Sequence, residues 1–200
     1  MTQPPGFVTS DKSLVCISLH ALVYVDDILI IGSSSAHIHE LIIKLHHKFA
    51  LKKLGRPSYF LGIEVKFQSN GSLLLTQTKY IKYLLSRAKM DGANGVPTPM
   101  LGTCRLSKHG TNYFADPQLY RSIVGALQYV TLTRPDISFS VNKACQFMAS
   151  PLDTHWAAVR RILRYLICIV DCGLLLSHSV AGSKFFVRAY SDSNWASDPD

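Results

Sequence analysis

The stretch Leu22-Val23-Tyr24-Val25-Asp26-Asp27-Ile28-Leu29-Ile30-Ile31-Gly32 sets two neighbouring carboxylates between two apolar runs. Both runs are of strand length and rich in β-branched residues, so they predict two strands joined at the acidic pair. Asp26 and Asp27 then lie at the tight bend of a hairpin, where adjacent charges are tolerated only near water or a cation. The wider run from Leu14 to Ile31 could be mistaken for a membrane span. Each Asp at a bilayer centre costs about 3 kcal/mol, so no membrane association is expected. Two adjacent carboxylates can share a hard divalent cation, because Mg²⁺ takes oxygen ligands in octahedral geometry. An ordinary acidic turn is the other reading of the same residues.

Working outward, Ser33 to Ser35 offer caps for a helix from about Ala36 to Phe49, with Ile38, Leu41, Ile42, Leu45 and Phe49 on one face. Tyr59 to Phe67 reads as a strand, Asn70-Gly71 as a hairpin turn and Leu73 to Thr76 as the returning strand. A second helix runs from about Lys79 to Met90. Between Asp91 and Pro117 the periodicity dissolves into Gly, Pro, Asn, Ser and Thr, which predicts a linker loop. Asp116-Pro117 opens a helix that ends before Pro135, and Asp136 caps another. A third begins near Thr154 and buries Trp156, Val159, Leu163 and Leu166. Leu174 to Leu176 and Phe185 to Asp192 read as strands.

The composition fits a packed protein: 48% of its 200 residues are hydrophobic and 17% charged. Lys and Arg number 21 against 13 Asp and Glu, a formal net charge of +8, which suits a polyanion such as nucleic acid or else marks an unspecialised basic protein. Five cysteines (Cys16, Cys104, Cys145, Cys168 and Cys172) lack paired spacing, so neither a disulfide framework nor a zinc site is expected. Cys168 and Cys172 read as buried small hydrophobes. Met1 to Ser10 lacks the layout of a signal peptide, so an intracellular place, cytoplasmic or nuclear, is expected.

Tyr24-Val25-Asp26-Asp27 between apolar strands resembles the signature of copia-type retrotransposon reverse transcriptases. Further stretches match that family in order: Gln3-Pro4-Pro5-Gly6-Phe7, Tyr59-Phe60-Leu61-Gly62-Ile63-Glu64-Val65 and Gln77-Thr78-Lys79-Tyr80. Tyr120-Arg121-Ser122-Ile123-Val124-Gly125, Thr133-Arg134-Pro135-Asp136-Ile137, His155-Trp156 and Arg161-Ile162-Leu163-Arg164-Tyr165-Leu166 follow. The resemblance covers nearly the whole chain.

It implies an α+β fold: a partial reverse-transcriptase palm (β-hairpin plus helices), thumb and connection helices, and the first strands of an RNase H-like domain. The boundaries it suggests are palm and start of the primer grip and thumb over 1–90, linker loop over 91–117, thumb and connection helices over 118–170, and the RNase H-like start over 171–200. Asp26 and Asp27 resemble the palm aspartates that hold catalytic Mg²⁺ or Mn²⁺, and Tyr24 the aromatic against the primer end. Phe60, Leu61 and Gly62 resemble the strand that grips the primer, although a glycine there also suits a plain strand bulge. Arg160, Arg161 and Arg164 lie together on a helical wheel and either contact phosphates or form a solvated basic face. Asp192, within Ala189-Tyr190-Ser191-Asp192-Ser193-Asn194-Trp195, resembles the first carboxylate of the RNase H metal site.

The chain departs from the family in two places. The family's third palm carboxylate lies on a strand shortly upstream of the Gln-Pro-Pro-Gly-Phe stretch, which here begins at Gln3, and Asp11 is no substitute for it. The long segment that the family carries between Phe7 and Ser10 is also missing. The expectation is therefore a fragment of an RNA-directed DNA polymerase, with RNA template, DNA primer or duplex and dNTP as the family's partners. Metal binding should be weak, activity alone absent, and complementation by other Pol segments is open. The alternatives are a nucleic-acid-binding remnant or a degenerate retroelement product without function.

Overall fold

The computed structural model describes residues 18–102 and 106–177. The expected strand Phe185 to Asp192, the stretch Gln3 to Phe7, Asp11 and Asp192 lie outside them. Two compact units divide the chain, Met1–Pro57 and Ser58–Asp200.

In the first unit, β1 (Leu19–Tyr24) pairs antiparallel with β2 (Asp27–Gly32), in a register that runs from Leu19 opposite Gly32 to Tyr24 opposite Asp27. Helix α1 (Ser35–Lys48) follows and packs on β2. Ser34 occupies its N-cap; its carbonyl accepts Ile38 N–H at 3.2 Å, but its hydroxyl caps no backbone N–H and pairs with the His37 ring at 2.8 Å instead. Glu40 and Lys44 form the expected pair at 2.7 Å.

Among the described residues, the second unit combines a four-stranded antiparallel sheet, order β3-β4-β5-β6, with four α-helices. Its strands are β3 (Tyr59–Phe60), β4 (Ile63–Phe67), β5 (Leu73–Thr76) and β6 (Leu174–Leu176). The single strand expected over Tyr59 to Phe67 is thus broken into a hairpin. Leu61 at φ 50° and Gly62 at φ 80° are both left-handed, the sign pattern of a two-residue type I′ turn. At the next turn Gly71 N–H donates to Gln68 O at 3.0 Å, with Gly71 at φ 82°; the hairpin signal at Asn70-Gly71 therefore holds.

Helices α2 (Thr78–Arg87), α3 (Pro117–Val130), α4 (Ser138–Cys145) and α5 (Asp153–Cys168) bury one shared core. Ile81 and Leu84 from α2, Ile123 and Leu127 from α3, Val141 from α4, and Ile162, Leu163 and Leu166 from α5 all belong to it. Asp116 caps α3 as expected, accepting Leu119 N–H at 2.8 Å, and Pro117 fills the first helical position. Asp136 does not cap α4. It lies in a 3-10 turn over Pro135–Ile137 and pairs with Arg134.

The compact units break elsewhere than after residue 90. Met90 and the apolar face of α2 belong to the same core as α3 to α5, so α2 cannot separate from them without exposing it. The described parts of 91–117 carry no helix or strand until Pro117 opens α3, and they lie along α5 within the second unit. Val96 N–H donates to Arg164 O at 3.2 Å, Phe114 N–H to Pro151 O at 2.9 Å and Asp153 N–H to Asn112 O at 3.0 Å. Likewise β6 does not open a new body among the described residues. It pairs with β5 and so satisfies that strand's outer backbone groups, Leu73 opposite Leu176.

Candidate active site

Geometry at the tip of the β1–β2 hairpin follows from its register. Tyr24 and Asp27 are the last paired residues, so Val25 and Asp26 make the two-residue turn. Only Val25 of these has positive φ, 49°, the sign pattern of type II′, which usually takes glycine at that place. A β-branched residue there carries backbone strain, a feature that concentrates at functional sites. Directly opposed residues of an antiparallel pair project to one face, so Tyr24 and Asp27 stand side by side with Asp26 at the bend. All three are exposed. The carboxylates are therefore open to water and to ions.

Two exposed carboxylates offer the hard oxygen donors that a divalent cation takes, and in kind they fit it. In number they fall short, because no group of three His, Cys, Asp or Glu side chains suited to a metal forms among the described residues. No catalytic step is therefore assigned to a metal held by this tip alone.

In the second unit, Phe60 ends β3, and Leu61 and Gly62 form the β3–β4 turn and not a continuous strand. The Tyr129 hydroxyl of α3 donates to Leu61 O. A Cβ on Gly62 would come 3.2 Å from that hydroxyl oxygen, so both φ and the tyrosine favour glycine. Tyr80 meets the Tyr129 ring edge-on at 5.1 Å, which ties the turn to α2 and α3. Neither Tyr80 nor Tyr129 stood out in the sequence as a support for this turn. Their helical spacing marks only an inward face.

The three arginines of α5 are unlike one another. Arg161 donates from an Nη to Thr98 Oγ1 at 2.8 Å, and Arg164 from Nε to Asn94 O at 2.7 Å, so both hold the 94–98 loop. Arg160 is exposed.

Several collinear motifs prove to be framework. Arg134, only 4% exposed, grips Asp136 through Nε at 3.0 Å and an Nη at 2.7 Å, and donates to Ile169 O at 2.9 Å. The Tyr165 hydroxyl donates to the same carboxylate at 2.7 Å. Burial pushes the Asp136 carboxyl up, but hydrogen bonds from Arg134 and Tyr165 and the guanidinium charge outweigh it and hold it below its ordinary value. Thr133 Oγ1 donates to Gln77 Oε1 at 2.7 Å, with both residues buried. His155 is buried as well. Leu152 N–H donates to its Nδ1 at 3.0 Å while its Nε2 donates to Ser107 O at 2.9 Å, and Phe147 stacks on the ring at 3.8 Å. Cys168 and Cys172, expected inside, are exposed, because they lie at the end of α5 and in the turn beyond it.

Among the described residues no helix is long and apolar enough to cross a membrane. The profile of the family described as "Reverse transcriptase (RNA-dependent DNA polymerase)" matches residues 7–102. Retrovirus-related Pol polyproteins from the transposons RE2 and RE1 of Arabidopsis thaliana are 42% and 43% identical to the chain over 98% of its length. In each case the chain spans 14% of the polyprotein. An uncharacterized mitochondrial protein of Arabidopsis thaliana is 43% identical over 89% of the chain and 72% of its own length. No solved structure matches.

Proposed function

Because the chain belongs to the reverse transcriptase family of copia-type retrotransposon Pol polyproteins, we propose that it supplies one acidic element of an RNA-directed DNA polymerase. In that role Asp26 and Asp27 hold Mg²⁺ or Mn²⁺ together with a carboxylate from another part of a Pol chain. The observation that carries this reading is the β1–β2 register, which leaves Asp26 in the turn and Asp27 beside Tyr24, all exposed.

In nucleotidyl transfer an ion at such a site lowers the pKa of the primer's 3′-hydroxyl and neutralises the triphosphate. The residues of this chain have simpler tasks. Asp26 and Asp27 provide oxygen donors, and Tyr24 lies against the last base of the primer. The Phe60-Leu61-Gly62 stretch, held by Tyr129, approaches the primer backbone, and Arg160 contacts phosphate. Asp192 belongs to the RNase H-like part of this reading. RNA template, DNA primer and dNTP are the ligands.

The two carboxylates brought together by the described residues are too few to align a hydroxyl and a triphosphate. The 200 residues alone are therefore expected to leave a primed RNA template unextended in Mg²⁺ or Mn²⁺. Clear incorporation by the chain alone, abolished by Asp26→Ala, would show the acidic set to be complete and overturn the proposal.

A further inference from the structure

Helix α2 presents a cationic stripe that no carboxylate among the described residues pairs with. Lys79, Lys82, Tyr83, Ser86 and Arg87 recur at helical spacing on its outer face, and all five are exposed. The opposite face, with Ile81, Leu84 and Leu85, is buried in the core, so the stripe is fixed in orientation. The helix carries no Asp or Glu. The ion pairs found among the described residues join Glu40 to Lys44, Glu64 to Lys66 and Arg134 to Asp136, and none involves the stripe. Glu64, the nearest acid on the adjoining sheet, is occupied. It accepts from Thr76 Oγ1 at 3.3 Å and from the Lys79 backbone N–H at 2.9 Å.

Two further features distinguish the stripe from a merely solvated face. Lys79 stands in the first turn, where a cation opposes the helix dipole and an added anion would relieve it. Aromatic rings also interleave with the charges. Tyr83 is 60% exposed, and Tyr59, 52% exposed, lies with the Lys79 ammonium 5.5 Å from its ring centroid. Cations spaced along a helix with rings open to solvent are the combination that takes up a single strand, through phosphate contacts and base stacking.

We infer that the outer face of α2, through Lys79, Lys82 and Arg87 with Tyr83 as stacking platform, binds a single-stranded nucleic acid. This names a contact surface for the template or primer strand and rests on the polymerase reading above. It uses neither the residues of the acidic tip nor the α5 arginines.

Fluorescence anisotropy of a labelled oligothymidylate with the full chain, across a series of salt concentrations, tests it. The triple variant Lys79→Gln, Lys82→Gln, Arg87→Gln should flatten the slope of log affinity against log salt by about 2, since each phosphate contact on a single strand contributes about 0.7. Tyr83→Ala should weaken binding about tenfold with the slope unchanged. A control triple, Lys48→Gln, Lys52→Gln, Lys53→Gln, removes the same net charge from the first unit and should change the slope far less. If the control matches the α2 triple, or the α2 triple leaves the slope unaltered, the surface is not the one inferred. A silent Tyr83→Ala removes the stacking platform and overturns the single-strand assignment. Equal, stripe-dependent binding to phosphatidylserine vesicles would replace it with a general polyanion surface. Failure of the unaltered chain to bind oligonucleotide at all would instead sink the polymerase reading beneath it.

Discussion

Asp136 shows how one carboxylate of a collinear motif is committed to the framework. Its burial raises its proton affinity, yet the forked guanidinium of Arg134 and the Tyr165 hydroxyl leave its carboxyl below the ordinary range. A group with a depressed folded-state value contributes stability that is whole above the unfolded-state value, about 3.9 for Asp. That contribution is lost as the pH falls through the lower folded value. The urea midpoint of Asp136→Asn should therefore lie below that of the unaltered chain at pH 7, with the gap closing as the pH drops below about 4. A gap that stays constant into acid would mean the carboxylate is not in this network. The sequence could place Arg134 and Asp136 side by side in Thr-Arg-Pro-Asp, but it read Asp136 as a cap. Tyr165 of α5 and Ile169 just after it complete the network, and partners so distant along the chain leave no local mark.

Among the elements, hairpins and helices were the most legible, because each announces itself in a few neighbouring residues. The apolar runs around Asp26-Asp27 predicted β1 and β2, and the pattern Asp116-Pro117 predicted the start of α3 together with its cap. The β3–β4 hairpin was missed because Leu61-Gly62 sits inside a continuous apolar run, and leucine is an unusual choice at positive φ. Its turn is held from outside by Tyr129, which sequence spacing does not reveal. Gly62→Ala places a Cβ at φ 80° and 3.2 Å from the Tyr129 hydroxyl oxygen. It should cost about 1–2 kcal/mol in equilibrium unfolding of the second unit. An unchanged unfolding midpoint would show that the turn relaxes freely.

At the scale of the whole molecule, the family and the α+β mixture of strands and helices were legible, whereas the place where the compact units divide carries no mark in the composition. A composition change over 91–117 suggested a linker, whereas the apolar face of α2 ties residues on both sides of it into one core. The break falls instead at Pro57, after Lys52, Lys53, Leu54 and Gly55, all exposed. Brief trypsin treatment should accordingly cut first at Lys52 or Lys53 and leave the remainder of the second unit's core intact; early cuts within α2 to α5 would contradict this division. Paramagnetic relaxation of backbone amides by Mn²⁺, recorded on the full chain, tests the acidic tip most directly. The expected result is weak binding that broadens the amides of Val25 to Ile28 first, with the effect removed by Asp26→Asn together with Asp27→Asn. Broadening that begins elsewhere, or that survives the double substitution, would contradict a metal-holding role for this hairpin.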